Sequence, residues 1–219
     1  MRQNVSLAEI SDGHLYKAND MVKADCGGCE GCSQCCRGMG SSIILDPYDV
    51  YQLTTGIGKS MQELLATSVE LNVVDGVILP NLKMQGTREA CAYLDAEGRC
   101  SIHPYRPGIC RLFPLGRHYE NGGLFYFLQT GECVKENRSK VKVSKWIDTP
   151  ELKRNEQFKL QWHDLLSAMT DRVAGEDEGK QREENLLLLR LFYLLPYEGT
   201  TDFYSQFTER MEHWNEQIG

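Results

Sequence analysis

Apolar positions fall into two regimes along this chain. From about residue 148 onward they recur at helical spacing; before that they come in short runs broken by glycine, proline and cysteine. The periodic part predicts three helices. Asp148-Thr149-Pro150-Glu151 opens the first, which runs to about Val173. A second, Gln181 to Leu195, is apolar enough to be buried and is stopped by Pro196. The third, Thr201 to Gln217, sets Phe203, Phe207, Met211 and Trp214 on one face. An acidic, glycine-flanked loop from Gly175 to Gly179 separates the first two.

The earlier part reads differently. Ser41 to Leu45 reads as a short strand. Asp46-Pro47 then marks a helix start, with Asp as cap and Pro in the first turn; this helix stops at Gly56. Ser60-Met61-Gln62-Glu63 is a capping box that opens a helix to about Glu70. Val73 to Leu79 resembles a strand with an Asp75-Gly76 turn inside it, and residues 81–90 a polar connection. Pro104 and Pro107 exclude a regular helix between Cys91 and Pro114. Asn121-Gly122-Gly123 predicts a hairpin joining Leu115–Tyr119 to Leu124–Leu128. The basic alternation from Arg138 to Lys145 reads as an edge strand with a solvated lysine face. The fold class expected is α+β: a cysteine-rich metal-binding domain of short strands and irregular loops, then helices. The divisions are an N-terminal arm (1–22), the cysteine domain (23–147) and the helical region (148–219).

Charge narrows the partners. A formal net charge of -7 argues against a general nucleic-acid binder. The longest apolar run, Leu186 to Leu195, is interrupted by Arg190 and falls short of the roughly 20 residues a bilayer requires. The polar start, Met1 to Ser6, has no apolar leader. A cytoplasmic protein is expected, with no nucleic acid and no membrane as partner. A protein partner, if there is one, would use the helical tail.

In that compartment thiols stay reduced, and nine cysteines point to metal rather than disulfides. Five of them fall within Cys26-Gly-Gly-Cys29-Glu-Gly-Cys32-Ser-Gln-Cys35-Cys36, and four more follow at Cys91, Cys100, Cys110 and Cys133. The first stretch has almost no other apolar side chain, so it cannot build a core, but its glycines let the backbone aim several sulfurs at one point. The two groups are expected to meet around zinc or an iron–sulfur cluster. The spacing Cys26-x2-Cys29-x2-Cys32-x3-Cys36 is that of [4Fe–4S] ligands in bacterial ferredoxins, except that Arg37 stands where that motif has proline. Cys35 and Cys36, as neighbours, point different ways and are expected to do different jobs. Arg37, Arg106 and Arg111 lie beside ligand candidates, where they either donate to sulfur or hold loop carbonyls. His103 is a further candidate ligand. Gly56-Ile57-Gly58-Lys59-Ser60 ends like a phosphate loop but has leucine at position 53, where that pattern needs glycine.

Cys29-Glu-Gly-Cys32-Ser-Gln-Cys35-Cys36 resembles the signature of the YkgJ-type cysteine-cluster family, described as zinc- or iron-chelating. The blocks Cys91-Ala-Tyr-Leu-Asp95, Gly98-Arg99-Cys100 and Arg106-Pro107-Gly-Ile-Cys110-Arg111 are similar to that family too, as are Asp46-Pro47-Tyr48-Asp49 and Gly131-Glu132-Cys133. The resemblance implies Cys29, Cys32, Cys35, Cys36, Cys91, Cys100, Cys110 and Cys133 as ligand positions and leaves Cys26 as the spare thiol. It implies zinc or iron; with the ferredoxin-like spacing, the cofactor expected is a [4Fe–4S] cluster or Zn²⁺. Three functions remain open: iron–sulfur electron or group transfer, a zinc-stabilised binding module, and an enzyme related to flagellin lysine methylase, whose other residues are not matched here.

Overall fold

The computed structural model describes residues 6–27, 32–135 and 137–218. α1 (Leu7–Ile10) is a single turn, and β1 (Met21–Asp25) points Val22 and Ala24 inward. The cysteine loop follows and closes in a 3-10 turn, Gln34–Cys36. α2 (Pro47–Ile57) starts where the sequence marks it. The Asp46 carboxylate accepts the Asp49 N–H, the Asp49 carboxylate accepts the Asp46 N–H, both at 3.1 Å, and Pro47 occupies the first turn. The helix passes Gly56 and stops at Gly58, which takes the left-handed conformation. α3 (Met61–Thr67) carries the Ser60–Glu63 box but ends short of Glu70, because Val69 is drawn into a ladder.

That ladder is a hairpin of β2 (Val69–Val74) and β3 (Val77–Leu82) about Asp75 and Gly76, whose φ angles of 49° and 82° suit a two-residue turn. The pairing extends well beyond the Val73–Leu79 strand expected. Residues 43–45 do not form a strand; they dock on β3 through Leu45 N–H to the Pro80 carbonyl and Leu82 N–H to that of Ile43. β4 (Met84–Gln85) and β5 (Ala90–Cys91) give the polar connection a short ladder of its own. A 3-10 turn, His103–Tyr105, leads into the five-residue α4 (Gly108–Leu112), all the helix that Pro104 and Pro107 allow. β6 (Leu115–Glu120) and β7 (Gly123–Leu128) form the expected hairpin.

The basic segment divides. β8 (Ser139–Lys142) pairs antiparallel with β1, and the rest becomes α5 (Val143–Ile147), because Val143 and Ile147 turn into the core together at helical spacing. Three longer helices follow: α6 (Leu152–Val173), α7 (Glu178–Leu189), which runs on into a π turn at Arg190–Leu194, and α8 (Phe203–Ile218). The architecture is α+β with a C-terminal helical segment. Among the described residues no helix is long and apolar enough to cross a membrane.

One core joins the helices to the earlier region. Leu45, Leu53, Leu64 and Leu82 share a buried cluster with Phe158, Trp162, Met169, Phe192 and Phe207. Phe207 sits edge-on to Phe158, with centroids 4.7 Å apart. A second cluster, Val22, Ala24, Leu112, Leu115, Tyr126, Leu128, Val143 and Ile147, lies under the β1–β8 and β6–β7 ladders. α4 stands between them: Leu112 enters the second cluster, while Ile109 and Cys110 pack on the first. A single side chain ties α7 to the β2–β3 turn. Asn185 is buried, accepts the Ile78 N–H at 2.6 Å and donates to the Gly76 carbonyl at 3.1 Å. Asn185→Ala strands both groups and should cost about 2 kcal/mol, read as a lower denaturant midpoint at unchanged slope.

Candidate metal centre

Backbone pairing brings the two cysteine regions together. Arg37 bridges Ala90, and the Gly38 N–H reaches the Glu89 carbonyl at 2.9 Å, which lays Cys36 along β5 and so beside Cys91. A bridge from Leu94 to Cys100, with the Asp95 N–H on the Arg99 carbonyl, folds Cys100 back toward Cys91. Tyr93 pins this loop: its hydroxyl shares a 2.7 Å hydrogen bond with Ser68, and its carbonyl takes the Ser101 N–H and hydroxyl. Cys110 comes from α4, whose first residue, Gly108, donates its N–H to Asp49 Oδ1 at 2.7 Å.

The β1–β8 ladder makes a second approach. Asp25 lies opposite Ser139, whose hydroxyl donates to Asp25 Oδ2 at 3.1 Å. The chain leaving β1 at Cys26 therefore starts against the chain that enters β8 after Cys133. Further along, a cleft of about 400 Å³ has Cys32, Ser33, Gln34 and Arg37 on one wall and Val134 and Lys135 on the other. Cys29 lies outside the described residues, as do the first five residues of the chain.

Cys32, Cys35, Cys36, Cys91, Cys100, Cys110 and Cys133 are unbridged thiols, all half-buried. Cys35 and Cys36 differ, as their adjacency predicts. The Cys36 S–H donates to the Cys35 sulfur, which brings Cys35 down to about 7 against the opposing effect of burial; the Arg106 charge adds to the lowering. Donating that bond, and then burial, push Cys36 well up. Burial raises Cys91, Cys100 and Cys110 as well, and the charges of neighbouring thiolates raise them further. The charge of Cys35 acts on all three of these, and Cys35, Cys91 and Cys110 act on Cys36, so the five thiols form one electrostatic group in which Cys35 is the thiol brought down. Yet among the described residues no three His, Cys, Asp or Glu side chains close on a single point.

The basic residues have separate tasks. Arg111 is buried and spends its guanidinium on the carbonyls of Arg106, Asp148 and Pro104, so it holds the loop that carries Cys110. Arg106 donates to His103 Nε2 at 2.9 Å, which occupies that ring nitrogen's lone pair. Arg106 Nε is buried with no hydrogen-bond partner, although its charge reaches Cys35 and Cys100. Arg37 donates from Nε to the Ser33 hydroxyl at 3.4 Å. In the sequence Asp49 marks only a helix start; its second task, holding α4, depends on a partner 59 positions away. Lys159, whose buried ammonium pairs with Asp46, gave no sequence signal beyond its place on a helix.

The donors suit a thiophilic metal. Several thiolates repel one another at close range, and a cation among them relieves that repulsion. The unpartnered Arg106 Nε–H is a donor left over for a metal-bound sulfur.

A family model described as "Putative zinc- or iron-chelating domain", with the motif name CxxCxxCC, matches residues 28–138, just over half of the chain. The chain belongs to the CxxCxxCC family. The CxxCxxCC span takes in Cys29, Cys32, Cys35, Cys36, Cys91, Cys100, Cys110 and Cys133 and leaves Cys26 outside it. It also ends before α6 to α8, although those helices share the CxxCxxCC domain's core. No curated protein and no solved structure matches this CxxCxxCC chain.

Proposed function

We propose that this CxxCxxCC protein holds an iron–sulfur cluster on Cys35, Cys91, Cys100 and Cys110, for electron or group transfer in the cytoplasm. One observation carries the reading: backbone pairing folds Cys36, Cys91 and Cys100 toward one another, and the thiolate charges of Cys35, Cys91, Cys100 and Cys110 act on one another. A cluster spreads its irons over several such thiolates. When bound, it supplies one-electron redox chemistry.

The chain's own residues supply the rest. Cys36 donates to the Cys35 sulfur, and Arg106 brings a positive charge and a spare N–H. Both favour the more reduced, more negative state of a sulfur-rich centre. Arg111 and Asp49 fix the ends of the segment that presents Cys110. Cys32 and Cys133, with Cys29, remain as thiols for a further site.

Protein purified without oxygen should be brown, absorb broadly in the visible and contain iron with acid-labile sulfide. Colourless protein with stoichiometric zinc and no sulfide would overturn the cluster and leave a zinc-stabilised module on the same thiols.

A further inference from the structure

The cleft beside the cysteine loop has no part in the four-thiol centre on Cys35, Cys91, Cys100 and Cys110. Its walls carry two cations, Arg37 and Lys135, and among the described residues no carboxylate lines it. This is unusual company in a chain whose net charge is -7. Among the described residues neither cation meets a carboxylate: the Arg37 guanidinium has its long bond to the Ser33 hydroxyl, and Lys135 has no hydrogen-bond or ion-pair partner. Gln34 and Ser33 add neutral polar groups, and Val134, 58% exposed, offers the cleft an apolar surface. A volume of about 400 Å³ falls in the range of small-molecule pockets.

From this juxtaposition we infer that the cleft binds a small organic oxyanion, a carboxylate or phosphate ester, with its charged head between Arg37 and Lys135 and its short carbon chain on Val134. Arg37 presents a planar fork that matches two oxygens of such a group, and Lys135 adds a mobile point charge. Cys32 on the same wall places the bound molecule next to the thiol-rich loop. The site goes beyond the metal centre and does not depend on which metal fills it.

The test is calorimetric titration of the full chain, as purified with its metal, against four probes: butyl phosphate, butyrate, inorganic phosphate and butylammonium. Butyl phosphate or butyrate should bind one to one, and the stronger of the two identifies the head group. Inorganic phosphate should bind more weakly than butyl phosphate for want of the Val134 contact, and butylammonium should not bind. Arg37→Gln and Lys135→Gln should each weaken binding roughly tenfold. Lys140→Gln, on the exposed face of β8, should leave it unchanged. Metal content is measured on every sample, so failure of the metal centre and failure of the cleft are read separately. Three results would overturn the inference: no saturable binding of either organic anion, equal affinity in Lys135→Gln, or comparable binding of butylammonium. If the two substitutions alter metal content or spectrum while no anion binds, the cations serve the thiolates and the cleft is not a ligand site.

Discussion

Cys35→Ser should empty the metal centre, and Cys36→Ser should not. The two thiols are adjacent in sequence and both half-buried, so neither motif nor exposure separates them. Their hydrogen bond does. Cys36 donates and Cys35 receives, and it is the Cys35 charge that acts on Cys91, Cys100 and Cys110 together. A serine at 35 replaces a soft thiolate by a hydroxyl that stays protonated and binds zinc or iron poorly. A serine at 36 keeps an O–H donor aimed at the Cys35 sulfur. Cys36→Ala removes that donor and should weaken metal binding by about 10–100-fold, the usual effect of losing a partner that orients a ligand. Metal content and visible absorption of the three variants, purified side by side, check this. If Cys36→Ser loses its metal while Cys35→Ser keeps it, the ligand assignment is reversed and the electrostatic grouping fails as a guide.

The features legible in the sequence are those that a few neighbouring residues decide. Asp46-Pro47 and Ser60-x-x-Glu63 became helix starts with both reciprocal bonds formed, because a cap is satisfied within one turn. Asn121-Gly122 made its hairpin for the same local reason. The spacing of Cys29 to Cys36 points to metal chemistry by itself, because several thiols within one short loop have few other uses. What stayed hidden depends on contacts distant in sequence. Nothing near Arg37 says that it will bridge Ala90, although that bridge carries Cys36 to Cys91. Nothing in the amphipathic pattern of α6 says that Phe158 and Trp162 will pack with Leu45 and Leu53. Arg111 could be placed beside a ligand but not assigned, because its partners are backbone carbonyls, which every residue has. The cleft is hidden for a similar reason: its walls come from segments about a hundred residues apart, each unremarkable by itself.

Asp49→Ala should be among the most damaging substitutions outside the cysteines. The carboxylate is 2% exposed and serves two donors at once: Oδ2 accepts the Asp46 N–H at 3.1 Å, and Oδ1 accepts the Gly108 N–H at 2.7 Å. Alanine strands both, at about 2 kcal/mol each, for a total near 4 kcal/mol. For a chain of this length that is a fall in Tm of about 8–16 °C. A Cβ at 108 would lie 3.1 Å from the Arg117 guanidinium and 3.3 Å from Lys159 Nζ, so a side chain fits there only if those two ends give way. Because Gly108 begins the helix that carries Cys110, metal affinity should fall together with stability. Asp49→Asn keeps an oxygen for Gly108 and should cost only about 1 kcal/mol. The pair also carries a pH signature. Burial raises the Asp49 carboxyl from 3.8 to about 6, partly offset by the Gly108 bond and by Arg117 and Arg111. Between those values the folded chain holds a proton that the unfolded chain has released. The site's contribution to stability is therefore complete below pH 3.8 and is lost as pH rises through about 6. Asparagine has no such proton, so the difference in stability between wild type and Asp49→Asn should shift in favour of the variant as pH rises from 4 to 6. Denaturant unfolding at a series of pH values measures it; a difference that stays constant across that range would show that Asp49 is already ionised in the folded protein and holds α4 as a plain carboxylate.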